Sequence, residues 1–148
     1  MERLSENGAK VMKNWFYFIV GIVAVFSAIT HTIEGLTTAL PALREANLEY
    51  MTQSIFTFNY HIVAADHFGI GIALIIMAFN KNTAITKSAA FVVIAINFAR
   101  VVVSVIIIFT TMHASGSAGT FWIPAIANSV CILLLFMGMR VKEIPPAR

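Results

Sequence analysis

The sequence predicts an all-α integral membrane protein, a four-helix up-down-up-down bundle with a short amphipathic helix in its first outer loop. Three observations predict this. The composition is 59% hydrophobic and 11% charged, whereas about a quarter of the residues in a soluble domain carry charge. The apolar residues gather in four nearly uninterrupted runs, 15–33, 55–79, 89–111 and 121–139. At a rise of about 1.5 Å per residue, each is long enough to cross about 30 Å of hydrocarbon. Finally, the basic residues fall on alternate connections. Only helices and closed barrels satisfy their backbone within lipid, and runs this continuous do not read as barrel strands.

In chain order, residues 1–14 are polar and are expected along the inner surface. The run 15–33 is too long for a signal-peptide core, and Ile33-Glu34-Gly35 makes a poor cleavage site, so a retained helix is expected. In the first connection, Pro41 precedes Ala42–Tyr50, a helix-forming stretch with spaced apolar residues, which predicts the short amphipathic helix on the outer face. The run 55–79 carries Ala65, Gly69 and Ala73 four apart, a spacing that lets another helix approach closely. A tight connection leads to 89–111. The third connection, 112–120, contains Gly116 and Gly119 with Ser115 and Ser117, as a flexible loop does. The run 121–139 holds Cys131, the single cysteine, so no intrachain disulfide forms and a space-filling thiol is expected. The whole chain of 148 residues is expected to be this one membrane domain.

The net charge of +3 does not point to nucleic acid, because the position of the charges explains it. Arg3, Lys10, Lys13, Lys81, Lys87, Arg140, Lys142 and Arg148 fall on one side of the membrane by the run order, Arg44 on the other, and Arg100 inside it. By the positive-inside rule both termini are expected in the cytoplasm, in a cell membrane of the bacterial inner-membrane type. Trp15 and Trp122 stand at opposite interfaces.

Apolar bundles need no ionisable residue at mid-depth, and each costs about 2.5–3.5 kcal/mol on the insertion scale. Here there are Asp66, His67 and Arg100. Depth counting puts Asp66 and Arg100 both near the midplane on consecutive helices, so an ion pair between them is expected. The pair alone could serve only to fix helix register, but further polar residues accompany it. Asn97, Arg100, Ser104 and Thr111 form one stripe. Asn59 lies two turns from Asp66, and Tyr60 two turns from His67. The first helix adds Ser27, His31 and Glu34, and the fourth adds Asn128 and Ser129. Such stripes predict a polar pocket in the outer half of the bundle, with a dry inner half.

Asp66 and His67 are general acid–base types, His31 and Glu34 form a second such pair, and Arg100 can stabilise an oxyanion. Asn59, Tyr60, Asn97, Ser104 and Asn128 are the candidate substrate contacts. No serine elbow, phosphate loop or dinucleotide fingerprint occurs. A metal site could draw on His31, His61, His67, His113, Glu34 and Asp66. Its spacing is poor, because His61 and His67 point about 120° apart around one helix, so neither a metal nor another cofactor is expected.

The stretch Phe68-Gly-Ile-Gly-Ile-Ala-Leu-Ile75, the turn Asn80–Ser88 and Ala99-Arg-Val-Val-Val-Ser104 together resemble DoxX-like small four-helix membrane proteins over about residues 55–139. The resemblance implies the same four-helix architecture and, for some members, a role as a membrane subunit of an oxidoreductase. Asn128 stands where an acidic residue is frequent in that group, and the histidines of the outer half are not typical of it.

Three functions fit these residues. The first is an isomerase- or cyclase-type membrane enzyme acting by acid–base chemistry on a lipophilic small molecule. The second is an accessory or anchoring subunit of a larger membrane complex, and the third a small carrier. Membrane lipid is a partner in each, and a homo-oligomer is compatible with all three.

Overall fold

Asn14 begins the first helix and also ties three helices together. Its Oδ1 accepts from the Tyr17 N–H at 3.3 Å, capping α1 (Trp15–Glu34). Its Nδ2 donates to the Gly138 carbonyl at 2.8 Å, and its backbone N–H to the Ala78 carbonyl at 3.2 Å. The computed structural model describes residues 14–80, 83–111 and 119–140. Among them, four helices are long and apolar enough to cross a membrane. Beyond α1 these are α3 (Tyr50–Ala78), α4 (Thr83–Thr111) and α5 (Gly119–Arg140). The all-α four-helix membrane bundle expected from the sequence is the observed architecture.

α1 does not stop where its apolar run stops. It widens into a π-helical turn, Gly35–Ala39, and runs on into α2, Leu40–Glu45. Pro41 lies inside this continuous run, just after the π turn, and having no N–H it leaves one carbonyl of the preceding turn without its helical donor. The amphipathic helix expected over 42–50 is therefore shorter than expected and continuous with α1. Ala46 and Asn47 end it, Asn47 taking a positive φ of 53° that asparagine tolerates better than most residues. Tyr50 already belongs to α3. The helices α3 and α4 begin five and six residues before the apolar runs 55–79 and 89–111. Hydropathy marks the segment that lipid covers, while backbone hydrogen bonding carries a helix on until something breaks it.

The four spans are two pairs more than one even bundle. α1 packs intimately along α3, and α4 along α5, whereas α3 and α4 approach each other sparingly although they follow one another in the chain. The apolar cluster shared by all four lies towards the Asn14 end: Tyr17 and Val20, Leu74 and Ala78, Ala90 and Val93, and Leu135. Lipid is as apolar as these side chains, so close approach and dispersion hold the helices where water exclusion would not. Gly21 and Gly71 provide that approach for the first pair. A Cβ on Gly71 would stand 2.8 Å from the Gly21 carbonyl oxygen and 2.9 Å from the Val25 nitrogen.

The stripe Ala65, Gly69 and Ala73, expected to receive a helix, faces outward instead. A Cβ on Gly69 would meet nothing within 4 Å. Gly69 and Gly71 differ by two residues, about 200° around a helix, so α1 can seat on only one of them.

Candidate functional site

Asp66 and His67 lie near the middle of α3, and Arg100 near the middle of α4; each of these helices has 29 residues. The three side chains come together across the sparse α3–α4 seam. His67 Nδ1 is 2.7 Å from the Val63 carbonyl one turn back on its own helix. A carbonyl only accepts, so Nδ1 carries the hydrogen. The other ring nitrogen, Nε2, lies 3.1 Å from Arg100 Nη1. A guanidinium only donates, so Nε2 is the acceptor and His67 is the neutral imidazole. Backbone geometry on α3 thus sets the tautomer that holds Arg100.

The expected Asp66–Arg100 ion pair forms at the edge of contact. Arg100 Nη2 and Asp66 Oδ2 are 4.0 Å apart, with the Asp66 side chain 60% exposed and that of Arg100 23% exposed. That separation is Coulombic reach without a hydrogen bond. Asp66 therefore stands at the lip of the seam while His67 makes the direct contact. Val63 and Val103, each within one turn of the bridge, stay exposed, in keeping with the sparse approach of α3 and α4.

A second group sits farther along α1 and α3. The Tyr60 ring stacks on His31, with centroids 4.0 Å apart and planes at 6°. The Tyr60 hydroxyl donates to the His31 carbonyl at 3.1 Å, a carbonyl that also accepts from the Gly35 N–H. Gly35 makes room for the ring, since a Cβ there would overlap the Tyr60 edge. The π-helical turn starts at this residue, and π turns recur at functional sites. Held this way, His31 keeps its Nε2 buried and, among the described residues, without a hydrogen-bond partner. Glu34 is within electrostatic reach of Tyr60, and His31 within that of His67.

Other candidates turn back on their own helices. Asn97, which is buried, donates to Val93 O at 2.8 Å, and Asn128 to Pro124 O at 2.7 Å; the Ser129 hydroxyl gives its hydrogen to Ala125 O at 2.8 Å. A polar side chain in lipid satisfies itself most cheaply on the carbonyl one turn back. Asn59 and His61 are exposed and Ser104 is half-buried. The four expected stripes thus converge only in part: α1 and α3 supply His31, Tyr60, His67 and Asp66, and α4 supplies Arg100. Among the described residues no three His, Cys, Asp or Glu side chains gather as metal ligands would; His113 lies outside those residues.

Where the sequence predicts a polar pocket in the outer half, Asp66, His67 and Arg100 meet at mid-helix on the open α3–α4 seam. One groove of about 360 Å³ lies elsewhere, between α1 and α3, and is lined by Ala28, Thr32, Ala64, Ala65 and Phe68. Sequence reasoning missed the Gly21–Gly71 crossing that places His67. A signal was present: Gly21 lies six residues after Trp15 and Gly71 seven before Ala78, so antiparallel helices bring them to one depth.

No family model, no curated protein and no solved structure matches the chain, and its functional assignment therefore rests on its own residues.

Proposed function

We propose that this chain is a small membrane enzyme that takes a lipophilic molecule from the bilayer at the α3–α4 seam and acts on it by general acid–base chemistry. An isomerase- or cyclase-type reaction fits best. The observation that carries this is the Arg100–His67 contact at 3.1 Å beside an exposed Asp66. It sets a fixed cation, a neutral imidazole and a carboxylate at mid-helix where α3 and α4 leave a gap. A guanidinium and a carboxylate only 4.0 Å apart can hold an oxygen and move a proton on one substrate. The sidedness of the basic residues supports a cell membrane, of bacterial inner-membrane type, with both termini in the cytoplasm.

A second function is favoured by a different observation. The outward stripe of Ala65, Gly69 and Ala73 offers a flat face to another helix, as an accessory subunit of a membrane complex or a homo-oligomer would use. The DoxX-like resemblance implies the same role.

Native mass spectrometry of the gently extracted protein separates the two. A bound lipophile, lost from a folded Arg100→Leu variant, is the expected result. Protein chains co-extracted in fixed ratio, with no lipophile on the wild type, would refute the enzyme and support the subunit.

A further inference from the structure

We infer, building on the acid–base enzyme proposed above, that the molecule taken at the α3–α4 seam is a neutral lipophile bearing a conjugated ketone. Its carbonyl oxygen sits on Arg100, and Asp66 moves a proton on the carbon skeleton beside it.

The charge at the bridge excludes an anionic head group. Arg100 contributes one positive charge and Asp66 one negative. His67 contributes none, because Nδ1 gives its hydrogen to Val63 and Nε2 accepts from Arg100. The centre is neutral before anything binds. A carboxylate or phosphate guest would leave one uncompensated negative charge at mid-helix in a low-dielectric setting, which is the costly arrangement in lipid. An ammonium guest would leave the opposite charge. A neutral guest leaves none.

The hydrogen-bond inventory then says what the guest must carry. Arg100 has five N–H donors, yet among the described residues its one hydrogen-bond acceptor is His67 Nε2, and Asp66 stands at 4.0 Å. The bridge is short of acceptors. A carbonyl oxygen supplies one without adding a donor, whereas a hydrocarbon supplies nothing. The exposed Val63 and Val103, one on each helix and both one turn from the bridge towards the same end of the seam, make an apolar approach for the rest of the molecule.

Asp66 gives such a ketone something to undergo. With the carbonyl oxygen on Arg100, the Asp66 carboxylate removes a proton from a carbon next to, or conjugated with, the carbonyl. A C–H bond breaks, an O–H bond forms on Asp66, and the electron pair delocalises onto the oxygen, where Arg100 stabilises it. Asp66 returns the proton at the other end of the conjugated system. One C–H bond has broken and another formed, the double bond has moved, and no oxidant or reductant is consumed. His67 is a positioning residue here, since it holds Arg100 and reaches the substrate only through it.

The test uses the full chain in lipid nanodiscs with three probes of equal chain length: an alkyl cyclohexenone labelled with carbon-13 at its carbonyl, an alkyl carboxylate, and an alkyl cyclohexene without oxygen. The enone should bind roughly tenfold or more tightly than the cyclohexene, as a hydrogen bond to a charged donor implies, and more tightly than the carboxylate. Its infrared carbonyl band should move to lower frequency on the wild type and on Asp66→Asn, and should stay unshifted on Arg100→Leu. In heavy water the wild type should place deuterium beside the carbonyl, and Asp66→Asn should not. If Arg100→Leu does not fold, Arg100→Gln replaces it, and the band position on the wild type still decides. Tighter binding of the carboxylate, or an unshifted band on the wild type, overturns the inference. A co-purified lipophile without a carbonyl would overturn it too while leaving the acid–base enzyme standing.

Discussion

Gly69 and Gly71 are one turn's fraction apart on the same helix, which makes them a matched pair for testing where α1 crosses α3. Replacing either with alanine gives the same gain in helix propensity, about 1 kcal/mol, so that gain cancels when the variants are compared. What remains is the space for one methyl group. At Gly69 nothing lies within 4 Å of the added carbon, so Gly69→Ala should be neutral or slightly stabilising. At Gly71 the carbon would stand 2.6 Å from Val25 Cγ2, 2.8 Å from the Gly21 carbonyl oxygen and 2.9 Å from the Val25 nitrogen. Two of those three atoms are backbone, and no rotamer change relieves them; the helices must move apart. Overpacking of this kind costs about 1–3 kcal/mol, and the two variants should differ by that amount. Unfolding in mixed micelles, titrated with SDS and followed by tryptophan fluorescence, measures the difference, with Trp15 reporting on α1. Equal stability of Gly69→Ala and Gly71→Ala would refute the crossing, and with it the placement of His67 opposite Arg100.

Asn14→Ala removes both the α1 cap and the bond to Gly138 O, and should cost about 1–2 kcal/mol in the same titration; an unchanged midpoint would show that α1, α3 and α5 are not tied at Asn14. Arg100→Leu strands the Asp66 carboxylate at mid-helix and should destabilise by about 2.5–3.5 kcal/mol. In an Asp66→Asn background the same change should cost clearly less, and equal costs would mean that the two residues do not sense each other at 4.0 Å. Gly35→Val should push the Tyr60 ring off His31, and the ring protons of His31, shielded by a stacked face at 4.0 Å, should return to ordinary NMR shifts; unshielded His31 protons in the wild type would disprove the stack, and protons still shielded in the variant would show that Gly35 does not make the room for Tyr60.

The sequence by itself determined that four helices cross the membrane, because apolar length and the cost of bare backbone in lipid leave no other structure for runs such as 89–111. It also marked Asp66, His67 and Arg100, since an ionisable residue in such a run is costly wherever it points. Their arrangement came from elsewhere. Depth counting brought Asp66 opposite Arg100, but which neighbour Arg100 bonds depends on the rotation of α3. Asp66 and His67 point about 100° apart on a helix, and the Gly21–Gly71 contact turns His67 inward and leaves Asp66 at the lip. The stripe of Ala65, Gly69 and Ala73 had the spacing of a helix contact, yet the neighbouring Gly71 received α1. Spacing within one helix cannot tell which small residue its partner occupies. Asn97 and Asn128 were equally ambiguous, because a polar side chain in lipid can face a substrate or its own preceding turn, and these took the carbonyl one turn back. Composition and hydropathy act residue by residue and so are legible in the chain. Helix rotation is fixed only when two surfaces meet, so the tertiary structure alone decided which atoms share the seam.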